Sequence, residues 1–380
     1  MTLLGYRLEP RARPSAAFTF LVTVGAIAVA LVITGILFAL FGVNPFAAYN
    51  EILQKTLFNF RGFTEVVRRM IPLLLCGVGI ALALKARFWN IGAEGQLLAG
   101  AAAAAGFALF VPLPPVLMIP AMFLAGFIAG GLWGFLPAIL KVRLGVNEII
   151  TTLMMNYIAL YVVRWLINGP WKGSGARGFP ETDKFAKEFY LPTVPTTRLH
   201  YPTLLLGLLL AVFIFFMLRQ MKLGFDIRIM GESPDAARYA GINFFSTTML
   251  LVLLSAGAAG IAGVGEVAGI HRKLLEPSSV SLGYGYTGMI VALLARGNPL
   301  GTIPAALFLG LVFASGDVMK AGLGLPTQMV DVINGLVLLC IICAEPLLRF
   351  RFVRQRKDTV PLTIQDKNIE PQRHRGTENI

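Results

Sequence analysis

The chain has 380 residues, 56% hydrophobic and only 14% charged, where soluble globular domains carry about 25% charged residues; it reads as an integral membrane protein. Apolar runs of roughly 20 residues suffice to cross a hydrocarbon core of about 30 Å as helices, and an uninterrupted run such as 18–41 excludes an alternating β-barrel. The formal net charge of +13 lies in short loops and a tail beside those runs, a pattern that orients membrane helices rather than binding nucleic acid.

In chain order, residues 1–17 are a short cytoplasmic segment with Arg7, Arg11 and Arg13, followed by a first helix over 18–41 that is too long for a cleaved signal core. Residues 43–69 read as an outer segment carrying Lys55, Arg61, Arg68 and Arg69. Membrane segments are then expected near 70–86, 95–111, 115–138, 149–167, 202–218, 246–266, 283–296, 300–316 and 329–348, about ten in all. The fold class is therefore all-α and polytopic, with the transmembrane domain over 18–348. An outer loop spans 168–201, a polar inner loop spans 219–245, and 349–380 is a basic, disordered tail. The even number of crossings puts both termini on one side, and the basic bias of the inner loops makes that side cytoplasmic.

Some segments look short or broken. The first is interrupted between Lys85 and Gln96, the second between Arg296 and Gly301, and such breaks point to helices that line a cavity, although two plain hairpins would give the same pattern. Gly126, Gly130 and Gly134, like Gly265 and Gly269, recur at four-residue spacing, which suits close helix packing within the chain.

Reactive chemistry finds no foothold. There is no phosphate-binding G-x-x-x-x-G-K-[ST], and the G-x-G-x-x-G of Gly283, Gly285 and Gly288 opens a membrane segment rather than a βαβ unit. Cys340 and Cys343 lie in an apolar run without a nearby histidine, which favours buried, inert thiols. The acids that an ion-driven carrier would need, Glu94, Glu148, Glu266, Asp317, Asp331 and Glu345, all fall near expected helix ends, where water can reach them. The remaining anomaly is the polar stretch 222–243. It holds the helix-prone run Pro234 to Ala240, with Ser233 as N-cap, small alanines to pack against and charges at Glu232, Asp235 and Arg238.

Four stretches together resemble the membrane subunits of ATP-binding cassette importers, in the branched permease family that handles branched-chain amino acids, ribose-type sugars and nucleosides. They are Phe88-Trp89-Asn90-Ile91-Gly92-Ala93-Glu94-Gly95-Gln96, Val146 to Tyr157 (VNEIITTLMMNY), Gly231 to Ile242 (GESPDAARYAGI) and Tyr284 through Gly301. The first two are similar to the nucleoside and simple-sugar branch, the third to its coupling segment. The resemblance implies a bacterial inner-membrane permease with no catalytic residue and no cofactor or metal of its own, forming the path for a nucleoside or, alternatively, a simple sugar. An ion-coupled carrier is the alternative from another class. Its implied partners are cytoplasmic ATPase subunits that use ATP and Mg²⁺, a second permease subunit of different sequence, an extracytoplasmic binding protein and the lipid bilayer. Coupling to the ATPase is expected from Gly224, Arg228, Gly231, Glu232, Ser233, Asp235, Ala236, Ala237, Arg238 and Gly241. The polar residues expected along the path are Asn90, Glu94, Gln96, Asn156 and Tyr157, whose side chains could equally be hydrogen-bonded links between helices.

Overall fold

The computed structural model describes residues 2–3, 6–10, 15–175 and 178–354; Arg11, Arg13 and the expected tail beyond 354 lie outside them. The chain divides into a large unit, Ala26–Ile342, and a small one made of Met1–Gly25 with Cys343–Ile380. The small unit contains a three-stranded antiparallel sheet of β1 (Thr2–Leu3), β2 (Tyr6–Pro10) and β3 (Phe350–Arg354), in which Tyr6 pairs with Arg354 and Pro10 with Phe350. Residues 350–354, read from the sequence as the start of a disordered tail, thus form a strand beside the N-terminal segment.

The helices follow in order: α1 (Ala16–Leu40), α2 (Pro45–Thr56), α3 (Phe60–Lys85), α4 (Ala93–Phe110), α5 (Pro115–Leu144), α6 (Glu148–Asn168) and α7 (Tyr201–Gln220). Then come α8 (Lys222–Glu232), α9 (Pro234–Tyr239), α10 (Phe244–Val264), α11 (Pro277–Ser281), α12 (Tyr284–Leu294), α13 (Thr302–Gly322) and α14 (Thr327–Arg349). A π-helical segment, Gly265–His271, extends α10. Among the described residues nine helices are long and apolar enough to cross a membrane. The tenth expected segment is α12, whose 11 residues rise about 16 Å, half of a hydrocarbon core of about 30 Å.

Local sequence sets the helix ends. Asn44, Asn59, Asn147 and Asn243 each accept a backbone N–H at the start of α2, α3, α6 and α10, satisfying donors that have no partner within the helix. The helix expected from residue 70 begins instead at Phe60. Its first turns were masked by Arg61, Arg68 and Arg69, yet Arg68 is buried against Glu65, and Arg69 reaches Asp317 at 2.5 Å and the Tyr284 hydroxyl at 2.9 Å. Charges paired in this way are tolerated inside a bundle.

The core is built on α3, α4 and α10, the most enclosed of the spans, with α5, α12 and α13 packed around them. Small residues set the distances, as the spacing of Gly126, Gly130 and Gly134 anticipates. A Cβ on Gly260 of α10 would lie 2.1 Å from the Gly126 carbonyl oxygen, and one on Gly100 of α4 would lie 2.3 Å from that of Gly260. No side chain fits at this three-helix crossing. Gly260→Val is therefore expected to destabilise the bundle by about 1–3 kcal/mol or more, read as a lower unfolding temperature in detergent; wild-type thermal stability would contradict the crossing.

The bundle has two loop-bearing ends. At one, Gly231 of α8 packs on the carbonyl of Lys85, and Lys141 bonds both Glu148 and the carbonyl of Arg87. At the other, the 168–201 loop is clasped along the chain beyond α10: Thr182 N–H donates to Leu274, Phe185 N–H to Arg272 and Leu191 N–H to Ala268, and Lys273 pairs with Glu181 at 2.5 Å. That loop is thus stitched to the bundle. Of the thiols, Cys76 is buried, Cys340 half-buried and Cys343 exposed rather than buried.

Candidate functional site: a cavity at two helix starts

Within the large unit a cavity of about 580 Å³ opens between α3, α4, α6 and the α11 to α14 stretch, a size typical of small-molecule sites of about 300–1,000 Å³. Its geometry follows from two broken segments. After α3 ends at Lys85, residues 86–92 turn back into the bundle and α4 begins at Ala93. From the other side, α11 is followed by Leu282 and Gly283, both with positive φ, and α12 begins at Tyr284.

The starts of α4 and α12 meet there. Gly285 comes so close that a Cβ would lie 2.2 Å from the Glu94 backbone nitrogen, which explains one glycine of the G-x-G-x-x-G; Gly288 packs likewise on Cys76. The Glu94 carboxylate accepts the Gly285 N–H at 2.8 Å, with the N–H groups of Gly283 and Tyr286 and the Ser281 hydroxyl also within reach. A carboxylate at a helix N-terminus answers both its unpaired donors and its dipole. Glu94 is buried, at 7% exposure, so its position near a helix end does not bring it into bulk water.

Around this floor the lining is mixed. Asn156 and Tyr157 come from α6, Tyr286 from α12 and Phe313 from α13, with the Asn156 and Tyr286 side chains in hydrogen-bond reach of each other. Asp317 and Arg69 form the ion pair described above, Lys320 and Asp331 approach at 3.5 Å, and Asn334 of α14 faces the cavity with a buried Oδ1 that has no protein partner. Its charges are largely paired, whereas its amides and rings offer contact to a solute.

Of the five residues expected along a path, Glu94, Asn156 and Tyr157 line the cavity. Asn90 and Gln96 do not. They are buried one layer away, where the two amides bond each other reciprocally at 3.0 and 2.9 Å and Asn90 also donates to Ser255 at 3.1 Å. Arg69, Ser281, Tyr286, Phe313 and Asn334 were missed; only Tyr286, inside the glycine-rich stretch, carried a signal. Glu266 needs correction, because it is 1% exposed inside the π-helical segment, with the His271 Nε2 3.9 Å away and no hydrogen-bond partner on either oxygen. Arg164 pairs with Glu276, just before α11. The side chain of Glu345 lies outside the described residues.

The 219–245 stretch forms two short helices that split the expected coupling residues. Gly224, Gly231 and Ala237 face inward: a Cβ on Gly224 would lie 2.0 Å from the Met217 carbonyl oxygen, and Ala237 is fully buried. Arg228 is half-buried. Glu232, Ser233, Asp235, Ala236, Arg238 and Gly241 are exposed, with Ser233 capping α9 through the Ala236 N–H and Arg238 bonding Asp235 at 3.2 Å. Tyr239, which sequence reasoning did not single out, is 98% exposed.

Residues 62–342 match the family described as branched-chain amino acid transport system / permease component. The chain belongs to this permease family. The permease is 33% identical over 355 residues to a glucose ABC transporter permease protein of Haloferax volcanii, covering 91% of this chain and 93% of that one. It is 32% identical over 329 residues to a nucleoside ABC transporter permease protein of Lactococcus lactis (84% and 90% covered). It is also 32% identical over 279 residues to a guanosine ABC transporter permease protein of Bacillus subtilis (73% and 80%). It is thus a multi-pass transport subunit of an ATP-binding cassette system rather than an enzyme, and it works with the ATPase and the other components of such a system.

Proposed function

We propose that the permease passes a nucleoside through the cavity between α4, α6, α12 and α14. The observation that carries this reading is the lining itself: the Tyr157, Tyr286 and Phe313 rings beside the Asn156 and Asn334 amides. Aromatic faces suit a planar base, and amides suit its edge or the hydroxyls of a ribose. The relatives named for nucleosides and guanosine support it. The relative named for glucose, aligned over 91% of the chain, supports a second reading, a simple sugar, whose hydroxyls the same amides could bond.

ATP is hydrolysed on Mg²⁺ by separate ATPase subunits seated on the exposed residues of 232–241, at the cytoplasmic side of a bacterial inner membrane. A binding protein delivers solute at the 168–201 side. A second permease of different sequence completes the transporter; the long region before Pro72 supports an unlike pair. The test is ATP-driven uptake into proteoliposomes holding the permease with its partner subunits and binding protein. Tritiated guanosine or uridine is expected to accumulate and glucose not to; uptake of glucose alone would establish the sugar reading instead.

A further inference from the structure

The segment between α3 and α4 is short and unusually placed. Arg87 turns the chain with φ +52, and residues 88–92 then run inward as non-helical backbone until α4 starts. Non-helical backbone at membrane depth survives only where protein satisfies it, and here it is held from every side. Asn156 donates to the Ile91 carbonyl at 2.9 Å and accepts the Gly95 N–H at 2.8 Å. Asn90 and Gln96 exchange both of their amide bonds, while Asn90 Oδ1 also accepts the Gly92 N–H at 3.2 Å. Gly92 is closely packed, since its Cβ would stand 3.0 Å from Gln96 and 3.1 Å from Thr152.

The order of the layers matters. Glu94 and Asn156 face the cavity; Asn90, Gln96 and Ser255 lie behind them and are buried. Beyond comes the turn at 85–87, and against that turn sits α8, with Gly231 so close that a Cβ would lie 1.9 Å from the Lys85 carbonyl oxygen. Helix α8 thus touches the start of this segment directly.

We propose that residues 86–96 are the closure of the cavity toward the 219–245 end, latched by the reciprocal amide pair Asn90–Gln96, and that α8 moves this closure through its Gly231 contact with the turn. This rests on the permease reading above. A pair of amides suits a latch: two neutral bonds hold the closed arrangement, and when they part each amide can bond water or a passing solute rather than stay unpaired. Asn90 and Gln96 are here positioning residues that act on the path by closing it.

The experiment uses the whole transporter in proteoliposomes. Asn90→Ala and Gln96→Ala, each of which removes both bonds of the amide pair, are expected to let tritiated guanosine, uridine or glucose equilibrate without ATP about tenfold or more faster than wild type, and to raise ATP hydrolysis without solute. Gly231→Ala is expected to keep the vesicles tight and the ATPase bound while ATP-driven uptake falls about tenfold or more. Wild-type tightness and coupling in assembled Asn90→Ala and Gln96→Ala transporters would overturn the latch. If those variants do not assemble, the Asn90→Gln and Gln96→Asn exchanges, which keep the amides but change their reach, must show the same leak, and their tightness would overturn it equally. Failure of wild-type protein to take up any of the three solutes would count against the substrate reading and leave the latch to be judged on leak of the same probes.

Discussion

Asp235→Lys and Ala236→Trp should abolish ATP-driven uptake and release the ATPase while the permease still folds and inserts. Both side chains are exposed on α9, and neither supports the bundle. Asp235 loses only a surface bond to Arg238, whose side chain is itself mostly exposed, a pair worth little to stability. A tryptophan at Ala236 meets solvent in the free permease but would collide with any groove fitted to a methyl group. Hot-spot disruptions cost about 2 kcal/mol or more, roughly thirtyfold in association, and Tyr239→Ala should weaken docking in the same range by removing an exposed ring of the kind that anchors interfaces. Co-purification of the ATPase with each variant measures this directly; undiminished recovery with all three would remove α9 from the docking surface. Ala237→Trp belongs to a different class, because Ala237 is fully enclosed, and it should lower thermal stability before it says anything about a partner.

The second large effect is expected at Glu94. Glu94→Leu leaves the N–H group of Gly285 without its acceptor at a buried helix start, and Glu94→Gln keeps one acceptor oxygen but sets an amide N–H against donors. A hydrogen bond to a charged group contributes about 1.5–3 kcal/mol. Uptake should therefore fall roughly ten- to a hundredfold in Glu94→Gln, with Glu94→Leu worse and also less stable. Glu94→Asp should recover part of the loss, since it retains the carboxylate at shorter reach. Measured uptake rates beside thermal unfolding separate the roles: a loss of stability without loss of uptake in surviving protein would reduce Glu94 to a structural cap.

The fold was readable where apolar run length and Asn, Gly and Pro punctuation carry the information. All ten segments correspond to helices; the break expected between Lys85 and Gln96 falls on residues 86–92 between α3 and α4, whereas the one between Arg296 and Gly301 is the turn between α12 and α13, away from the cavity. What could not be read depends on partners far along the chain. Arg69 looks like a loop residue because Asp317 and Tyr284, which make it acceptable within a helix, lie more than two hundred positions away. The same limit applies to the cavity. Polar residues in an apolar chain mark Asn90, Glu94, Gln96 and Asn156 alike, but whether an amide faces a solute or another amide is a matter of rotation and packing. Likewise Ala236 and Ala237 are identical in sequence, and only the turn of α9 exposes one and buries the other.

The pairing of β2 with β3 bears on how the protein is made. Strand β2 can pair with β3 only after all the helices between them have been synthesised, so this ladder is among the last contacts to form. A chain cut short within α14 would keep the β1–β2 pair yet leave the other edge of β2 open, an exposed edge of the sort that invites aggregation.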